Sequence, residues 1–111
     1  MTEKTQQFNS YSDPGHGWCK VKVDTLVQLG IADQISHYSY QRQSANGTVF
    51  AYLEEDRDMS LFYDALEKIG IKPVFKHHTS DKSSKIRGYD RYVPPVVDQK
   101  ENVTASRPKF G

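Results

Sequence analysis

The sequence lacks the features that mark several large classes of protein. A single cysteine among 111 residues cannot form an intramolecular disulfide, so no disulfide framework holds the fold. No apolar run reaches the roughly 18 residues of a membrane-spanning helix, and the polar start is unlike a signal peptide. The 15 Lys and Arg nearly cancel the 14 Asp and Glu, which argues against a polyanion binder that uses its whole surface. We therefore expect a small protein of the reducing cytoplasm that has no contact with a membrane.

Hydrophobic residues divide the chain into one folded part and two polar ends. Residues 1–10 are polar apart from Met1 and Phe8, and residues 93–111 combine three prolines with charged and amide side chains. Because proline fixes φ and removes a backbone donor, the second stretch should not form regular structure. The pattern predicts a polar N-terminal tail at 1–10, a single domain at 11–92 and a proline-containing polar tail at 93–111.

Hydrophobic periodicity predicts six regular elements inside this domain. They are strand, helix, strand, strand, helix and strand, at residues 18–23, 25–29, 36–42, 48–53, 61–69 and 74–78. Asp24 is the expected N-cap of the first helix, Asn46-Gly47 predicts a two-residue hairpin turn, and residues 86–93 predict an edge segment. This order is typical of an α+β two-layer sandwich, either ferredoxin-like βαββαβ or a related antiparallel meander with two helices. Both helices would lie on one face of the sheet and leave the other face free.

Aromatic residues make up 12% of the chain, and four of them share strand faces in the predicted hairpin. Tyr38 and Tyr40 alternate on one strand, and Phe50 and Tyr52 alternate on the next. Aromatic rings on neighbouring strands can stack unpaired bases, although residues 47–52 lack the basic residue and the second glycine typical of RNA-binding sandwiches. Burial in the small core is the other interpretation and carries more weight, because Tyr and Phe bury large areas.

Charge is segregated along the chain although the total cancels. Residues 54–67 contain six acids and one base, whereas residues 68–91 contain seven bases and two acids. The basic stretch suits phosphates or an acidic protein surface. Two ordinary solvated edges would explain the same pattern, and pairing of the two stretches between molecules would give a dimer.

The histidines and the cysteine raise the question of a catalytic or metal site. His16 and Cys19 are three positions apart, and on an extended strand such side chains point to opposite faces, so Cys19 is expected in the core. His77 and His78 also point to opposite faces, and no cysteine or carboxylate completes a zinc spacing. We expect no catalytic residue, no metal site and no cofactor.

Six short motifs run through the domain. They are Ser12-Asp13-Pro14-Gly15-His16-Gly17-Trp18, Leu29-Gly30-Ile31-Ala32-Asp33, Tyr38-Ser39-Tyr40, Tyr52-Leu53-Glu54-Glu55-Asp56, Ser84-Lys85-Ile86-Arg87 and Tyr89-Asp90-Arg91-Tyr92. Together they resemble a group of small uncharacterised proteins carried by bacteriophages and other mobile elements. The resemblance implies an accessory protein inside an infected bacterium, where small proteins of this kind often bind and redirect or inhibit host proteins, defence systems included. It implies no activity, cofactor or catalytic residue.

The leading hypothesis is a non-enzymatic accessory protein, monomer or homodimer, that binds a host or defence protein in the bacterial cytoplasm and modulates or inhibits it. Arg and Tyr often anchor interfaces, and the expected contact residues are Glu54, Glu55, Asp56, Lys85, Arg87, Tyr89, Arg91, His16 and Trp18. The alternative is a nucleic-acid-binding module that uses Lys72, Lys76, Lys82, Lys85, Arg87, Phe50 and Tyr52. A third hypothesis is a small enzyme that uses His16 with the acidic loop 54–58.

Overall fold

Six strands and two α-helices form the part of the chain that the structure, a computed structural model, describes, residues 4–95. The strands are β1 (Lys4–Ser12), β2 (Gly17–Lys22), β3 (Tyr40–Gln43), β4 (Val49–Glu54), β5 (Ile71–Thr79) and β6 (Asp90–Arg91). The helices are α1 (Val23–Gln28) and α2 (Asp58–Lys68), and single 3-10 turns lie at Ala32–Gln34 and Lys85–Gly88. The α+β class predicted from the sequence is confirmed.

All six strands belong to one mixed sheet in the order β5-β1-β2-β4-β3-β6. β1 and β5 are parallel, and the other neighbouring pairs are antiparallel. The ferredoxin-like order is not confirmed, because β1 lies between β5 and β2. β6 adds a short strand beyond β3, at the place where the sequence predicts an edge segment.

The polar tail expected at residues 1–10 is wrong from Lys4 onward, because this segment is β1. Its backbone pairs with β5 at every position from Lys4 to Ser12. Phe8 supplies the one buried side chain of the strand and packs edge-on against Phe62, with ring centroids 5.1 Å apart. Strand pairing uses backbone groups that every residue carries, so a polar segment can join a sheet. Of the predicted C-terminal tail, residues 96–111 lie outside the described residues.

The main core lies between the helices and one face of the sheet. The alternation predicted in β2 is confirmed, because Cys19 and Val21 are buried on this face while Lys22 is exposed. Phe62 and Leu66 of α2 pack on the same core. Burial of these side chains supplies most of the driving force for folding.

The start of α1, the hairpin loop and the start of β3 differ in detail from the sequence prediction. α1 begins at Val23, so Asp24 lies in its first turn and is not its N-cap. The hairpin loop is longer than two residues, since Ser44 N–H bonds to the Thr48 carbonyl and Gly47, at φ +90°, donates to Ser44. β3 begins only at Tyr40, because the residues before it are held by hydrogen bonds to α2.

No helix within residues 4–95 is both long and apolar enough to cross a bilayer.

Candidate functional site

The face of the sheet opposite the helices carries a second cluster of large side chains. Trp18, Tyr52 and Ile86 are buried in it, and four half-buried aromatic rings surround them: Tyr11, Tyr40, Phe50 and Tyr89. Tyr40, Phe50 and Tyr52 of the predicted hairpin therefore meet on the helix-free face. Tyr38 does not join them, since it precedes β3, is 59% exposed and stacks on His37.

One row of paired residues crosses all six strands on this face, and we call it the transverse row. From β5 to β6 its members are Lys76, Asn9, Lys20, Tyr52, Tyr40 and Arg91. Cations stand at both ends, and two adjacent tyrosines stand on the neighbouring strands β4 and β3. At the usual strand spacing of about 4.8 Å the row is about 24 Å long.

Cationic side chains lie over aromatic rings along this face. The Lys20 Nζ atom is 4.3 Å from the centroid of the Phe50 ring. The Arg42 guanidinium carbon is 4.9 Å from the centroid of Tyr89. Ring faces attract cations because of their quadrupole, and the alkyl stems of Lys and Arg cover apolar surface while the charge stays in water. The face is therefore both aromatic and basic.

A cavity of about 390 Å³ opens on this face between the sheet and the segment 84–89, and we call it the aromatic cavity. Its lining contains four aromatic residues and three cations but no carboxylate, the seven being Tyr11, Phe50, Tyr52, Tyr89, Lys20, Arg42 and Lys85. Serines, Ala45 and Ile86 complete the lining. An uncharged or anionic planar molecule fits this chemistry better than a cation does.

Burial raises the pKa of two tyrosine hydroxyls in the cavity above their ordinary value of 10.0. It raises the pKa of Tyr52 to about 12, with smaller contributions from the neighbouring Tyr89 and Tyr11 and an opposing one from Arg42. Burial, followed by the charge of Tyr89, also raises the pKa of Tyr11. Both hydroxyls are protonated at neutral pH, as in any tyrosine, and can donate hydrogen bonds.

Asp13 and Arg87 form an ion pair that holds the segment 84–89 against the sheet, and we call it the Asp13–Arg87 clamp. Arg87 donates from Nε to Oδ2 at 2.6 Å and from Nη2 to Oδ1 at 2.8 Å. The Asp13 carboxylate also accepts the backbone N–H groups of Gly15, His16 and Ser84. Arg87, followed by the Ser84 N–H, holds the pKa of Asp13 well below its ordinary value of 3.8. Two motifs that are distant in sequence, 12–18 and 84–87, are thus one structural unit.

The acidic loop lies beside the turn that follows β1. A side-chain carbon added at Gly17 would lie 2.9 Å from a carboxylate oxygen of Glu55, so the two residues are in contact. His16 is exposed, and its ring centroid is 6.0 Å from that of Trp18. Within residues 4–95 no hydrogen bond or ion pair joins the side chain of His16 to a carboxylate, although its backbone N–H bonds to Asp13; the single ion pair there is the Asp13–Arg87 clamp.

The predicted contact residues fall into separate groups. Lys85, Tyr89, Phe50 and Tyr52 come together around the aromatic cavity, whereas Lys72, Lys76 and Lys82 do not line it. Glu55, Asp56 and Arg91 are exposed, and Glu54 is half-buried. Trp18 is only 2% exposed, so it supports its neighbours and offers almost no surface to a partner. Arg87 is committed to the clamp.

Sequence reasoning missed Lys20, Arg42 and Tyr11 as site residues. The available signal was the alternation in β2, where Lys20 and Lys22 are the polar counterparts of Cys19 and Val21. This alternation indicated a basic strand face, but the longer acidic and basic stretches at 54–67 and 68–91 were the stronger charge pattern and supplied the candidate contacts. Arg42 and Tyr11 carried no comparable signal, since their position depends on strand order.

Cys19, His77 and His78, for which the sequence predicted no catalytic or metal-binding role, are held by packing and by contacts within the sheet. Burial raises the pKa of the Cys19 thiol to about 12. His77 bonds to Ser10, while His78 stacks on Tyr11 at 4.8 Å, so the adjacent histidines point to opposite faces as predicted. Residues 4–95 contain no group of three or more His, Cys, Asp or Glu that could hold a metal ion.

A second buried carboxylate, Asp58, fixes the chain before β3. It is fully buried and accepts the Ser36 hydroxyl at 2.7 Å, the Ser36 N–H and the Ser39 hydroxyl. The Ser39 oxygen in turn accepts the N–H of Glu54 at 2.9 Å. These bonds tie the start of α2 to β3 and β4, which is a structural role.

No protein-family model, curated protein or solved structure matches the chain. The basis for assigning a function is therefore the chemistry of the helix-free face and the loops around it.

Proposed function

We propose that the protein binds single-stranded nucleic acid on the helix-free face of its sheet. The transverse row is the observation that carries the proposal, because Lys76 and Arg91 stand at its two ends, with Lys20 and the half-buried ring of Tyr40 between them. Tyr52, which is 7% exposed, packs beneath this surface. Proteins that bind single strands combine cations along the phosphates with aromatic rings that stack on bases. Nucleic-acid binding is the alternative that the sequence left open, and Lys76 was among the residues expected to carry it.

The local charge of this face supports the proposal. Its strand residues within 4–95 include one carboxylate, Glu54, against a set of cations: Lys20, Lys22, Arg42, Lys72, Lys76 and Arg91. The net charge of the whole chain is only +1. A field that acts on phosphates depends on the local arrangement of charge, so a nearly neutral protein can still present a basic surface.

The test is binding of a fluorescent single strand of about 12 nucleotides, DNA or RNA, measured by anisotropy between about 50 and 200 mM salt. We expect the affinity to fall as salt rises. Lys76→Gln and Arg91→Gln should each weaken binding and reduce the slope of log affinity against log salt by about 1. Lys68→Gln, on the exposed side of α2, is the matched control and should leave the slope unchanged.

Two results would contradict this proposal. One is no detectable binding at the lowest salt, and the other is binding whose affinity does not respond to salt. Equal effects of Lys68→Gln and Arg91→Gln would show that binding depends on net charge and not on the helix-free face.

As a second candidate we propose contact with a host or defence protein in the bacterial cytoplasm, as expected for an accessory protein that modulates or inhibits its partner. The supporting observation is that the exposed Glu55, which precedes the exposed Asp56, contacts Gly17, the neighbour of the exposed His16, so that the acidic loop and the turn after β1 adjoin. Charged surfaces of this kind select partners and accelerate association.

Affinity capture from nuclease-treated bacterial lysate tests this second candidate. We expect one bacterial protein to be retained at physiological salt and lost when Glu55→Gln and Asp56→Asn are combined. Asp64→Asn, exposed on α2, is the control and should retain it. Retention of the same protein by all variants, or of none by the wild type, would contradict a contact through this surface.

A further inference from the structure

The aromatic cavity has the size of a small-molecule site. Its volume of about 390 Å³ lies within the usual range for ligand pockets, about 300–1,000 Å³. The buried side chains of Tyr52 and Ile86 line it, and Ile86 belongs to the 3-10 turn Lys85–Gly88. The cavity thus has the sheet on one side and a separate segment on the other.

Three cations from three different elements converge on this cavity. Lys20 comes from β2, Arg42 from β3 and Lys85 from the 3-10 turn. Within residues 4–95 none of them forms an ion pair, and no carboxylate lines the cavity. Like charges that share a site repel one another, and a bound anion relieves that repulsion. The electrostatics therefore favour an anion such as a phosphate.

Besides the three cations, which suit an anionic group, the cavity has aromatic rings that can contact a planar ring of the same ligand. Lys20 rests on the ring of Phe50 and Arg42 on the ring of Tyr89, so each cation and its ring are within reach of one ligand. Tyr52 lines the cavity, and its hydroxyl, like any tyrosine hydroxyl at neutral pH, can donate a hydrogen bond; burial raises its pKa further, to about 12. A planar ring can stack among these side chains while its anionic group meets the cations.

The Asp13–Arg87 clamp organises the outer wall before any ligand arrives. Asp13 accepts both the guanidinium of Arg87 and the N–H of Ser84, on either side of Lys85. A wall that is already in place does not have to be ordered on binding, which lowers the entropic cost.

We infer that the aromatic cavity is a mononucleotide site, which takes one aromatic base among its rings and one phosphate on Lys20, Arg42 and Lys85. The nucleotide is either free or part of a strand; in the second case the inference rests on the proposed function and names the point where the strand is anchored.

Calorimetric titration with adenosine and uridine 5′-monophosphates tests the inference, with the matching nucleosides and inorganic phosphate as separate ligands. We expect at least one monophosphate to bind saturably, and its nucleoside and inorganic phosphate each to bind at least about tenfold more weakly, or about 1.4 kcal/mol. Arg42→Gln and Lys85→Gln should each weaken the monophosphate by about five- to tenfold. Lys72→Gln, on the same face but outside the cavity, is the control and should leave binding unchanged.

Two side chains are altered separately so that misfolding of one variant does not decide the result. Lys85 is exposed, and thermal unfolding should show a wild-type melting temperature for Lys85→Gln. No saturable binding of either monophosphate, or equal weakening by Lys72→Gln and Lys85→Gln, would overturn the inference.

The two proposals fail in different ways. If the single strand binds but the monophosphates do not, and Arg42→Gln affects the strand no more than Lys72→Gln does, the cavity inference is wrong and the proposed function stands. If a monophosphate binds and the single strand does not, the proposed function is wrong and the cavity is a site for a free nucleotide.

Discussion

The carboxylate of Asp13 and the guanidinium of Arg87 face each other in a two-bond ion pair, although 74 positions separate them in the chain. The side chain of Asp13 has no exposed surface, whereas that of Arg87 is 37% exposed. The guanidinium also lies over the ring of Trp18, 5.6 Å from its centroid. One residue pair thus connects the turn after β1, the aromatic cluster and the wall of the aromatic cavity.

Gly15→Ala should lower the melting temperature by displacing Arg87. A Cβ atom at residue 15 would lie 2.8 Å from Nη2 of Arg87, which Asp13 holds in place. Gly88→Ala is the control, because its Cβ would meet nothing within 4 Å, and it should leave the melting temperature close to that of the wild type.

The same clamp predicts that two substitutions are not additive. Once Arg87→Ala has removed the guanidinium, Gly15→Ala has nothing left to displace and should change the melting temperature much less than it does in the wild type. Thermal unfolding of the four proteins of this cycle measures the coupling. Additive effects would contradict the assignment of the Gly15 clash to Arg87.

Asp13→Asn should make the stability less dependent on pH at the acidic end. The folded pKa of Asp13 is held below its ordinary value of 3.8, chiefly by Arg87, so its stabilisation is fully present above that value. It is lost as the pH falls from about 4 towards the lower folded pKa. Urea unfolding at several pH values should show a constant gap between wild type and Asp13→Asn near neutral pH and a shrinking gap below about pH 4. A gap that grows on acidification would have the wrong sign.

Asp58→Asn should destabilise the fold by about 1–3 kcal/mol, because an amide nitrogen cannot accept the hydroxyl bonds that Oδ2 accepts. Asp64→Asn, exposed on the same helix, should change the free energy of unfolding by less than about 0.5 kcal/mol. Urea denaturation compares the two variants. Similar free energies of unfolding for the two variants would contradict the structural role assigned to Asp58.

Cys19 should be inert towards thiol reagents in the native protein. It is fully buried, and burial raises its pKa to about 12, so neither access nor thiolate is available near neutral pH. Absorbance with a disulfide reagent at pH 8 should report almost no thiol until denaturant is added, and then one thiol per chain. Rapid reaction without denaturant would contradict the burial.

Some of the fold follows from side-chain pattern alone. The alternation in β2 and the apolar spacing of Leu61, Phe62, Ala65 and Leu66 predicted a strand and a helix where β2 and α2 lie. β1 has no such pattern, because Phe8 is its one buried side chain. Its place in the sheet depends on backbone bonds to β2 and to β5, which is 67 positions away in the chain. Local periodicity reports which face of an element is buried; it does not report which strand lies beside it.

The candidate site divides in the same way. The alternation of Phe50 and Tyr52 predicted two rings on one strand face, and residue type alone predicted Lys85 and Tyr89 as contact residues. Only strand order brings Lys20 and Arg42 to either side of those rings. Trp18, expected at an interface, is buried because Arg87 and its aromatic neighbours cover it.

By itself, the sequence determined the α+β class, the absence of disulfides, and two helices with their glycine stops at Gly30 and Gly70, because these depend on composition and local spacing. Only the tertiary structure decided that a chain of nearly neutral charge has a basic, aromatic face on its sheet, and that Asp13 pairs with Arg87. Those features join residues far apart in the chain, and a contact of that kind exists only once the strands have paired in their final order.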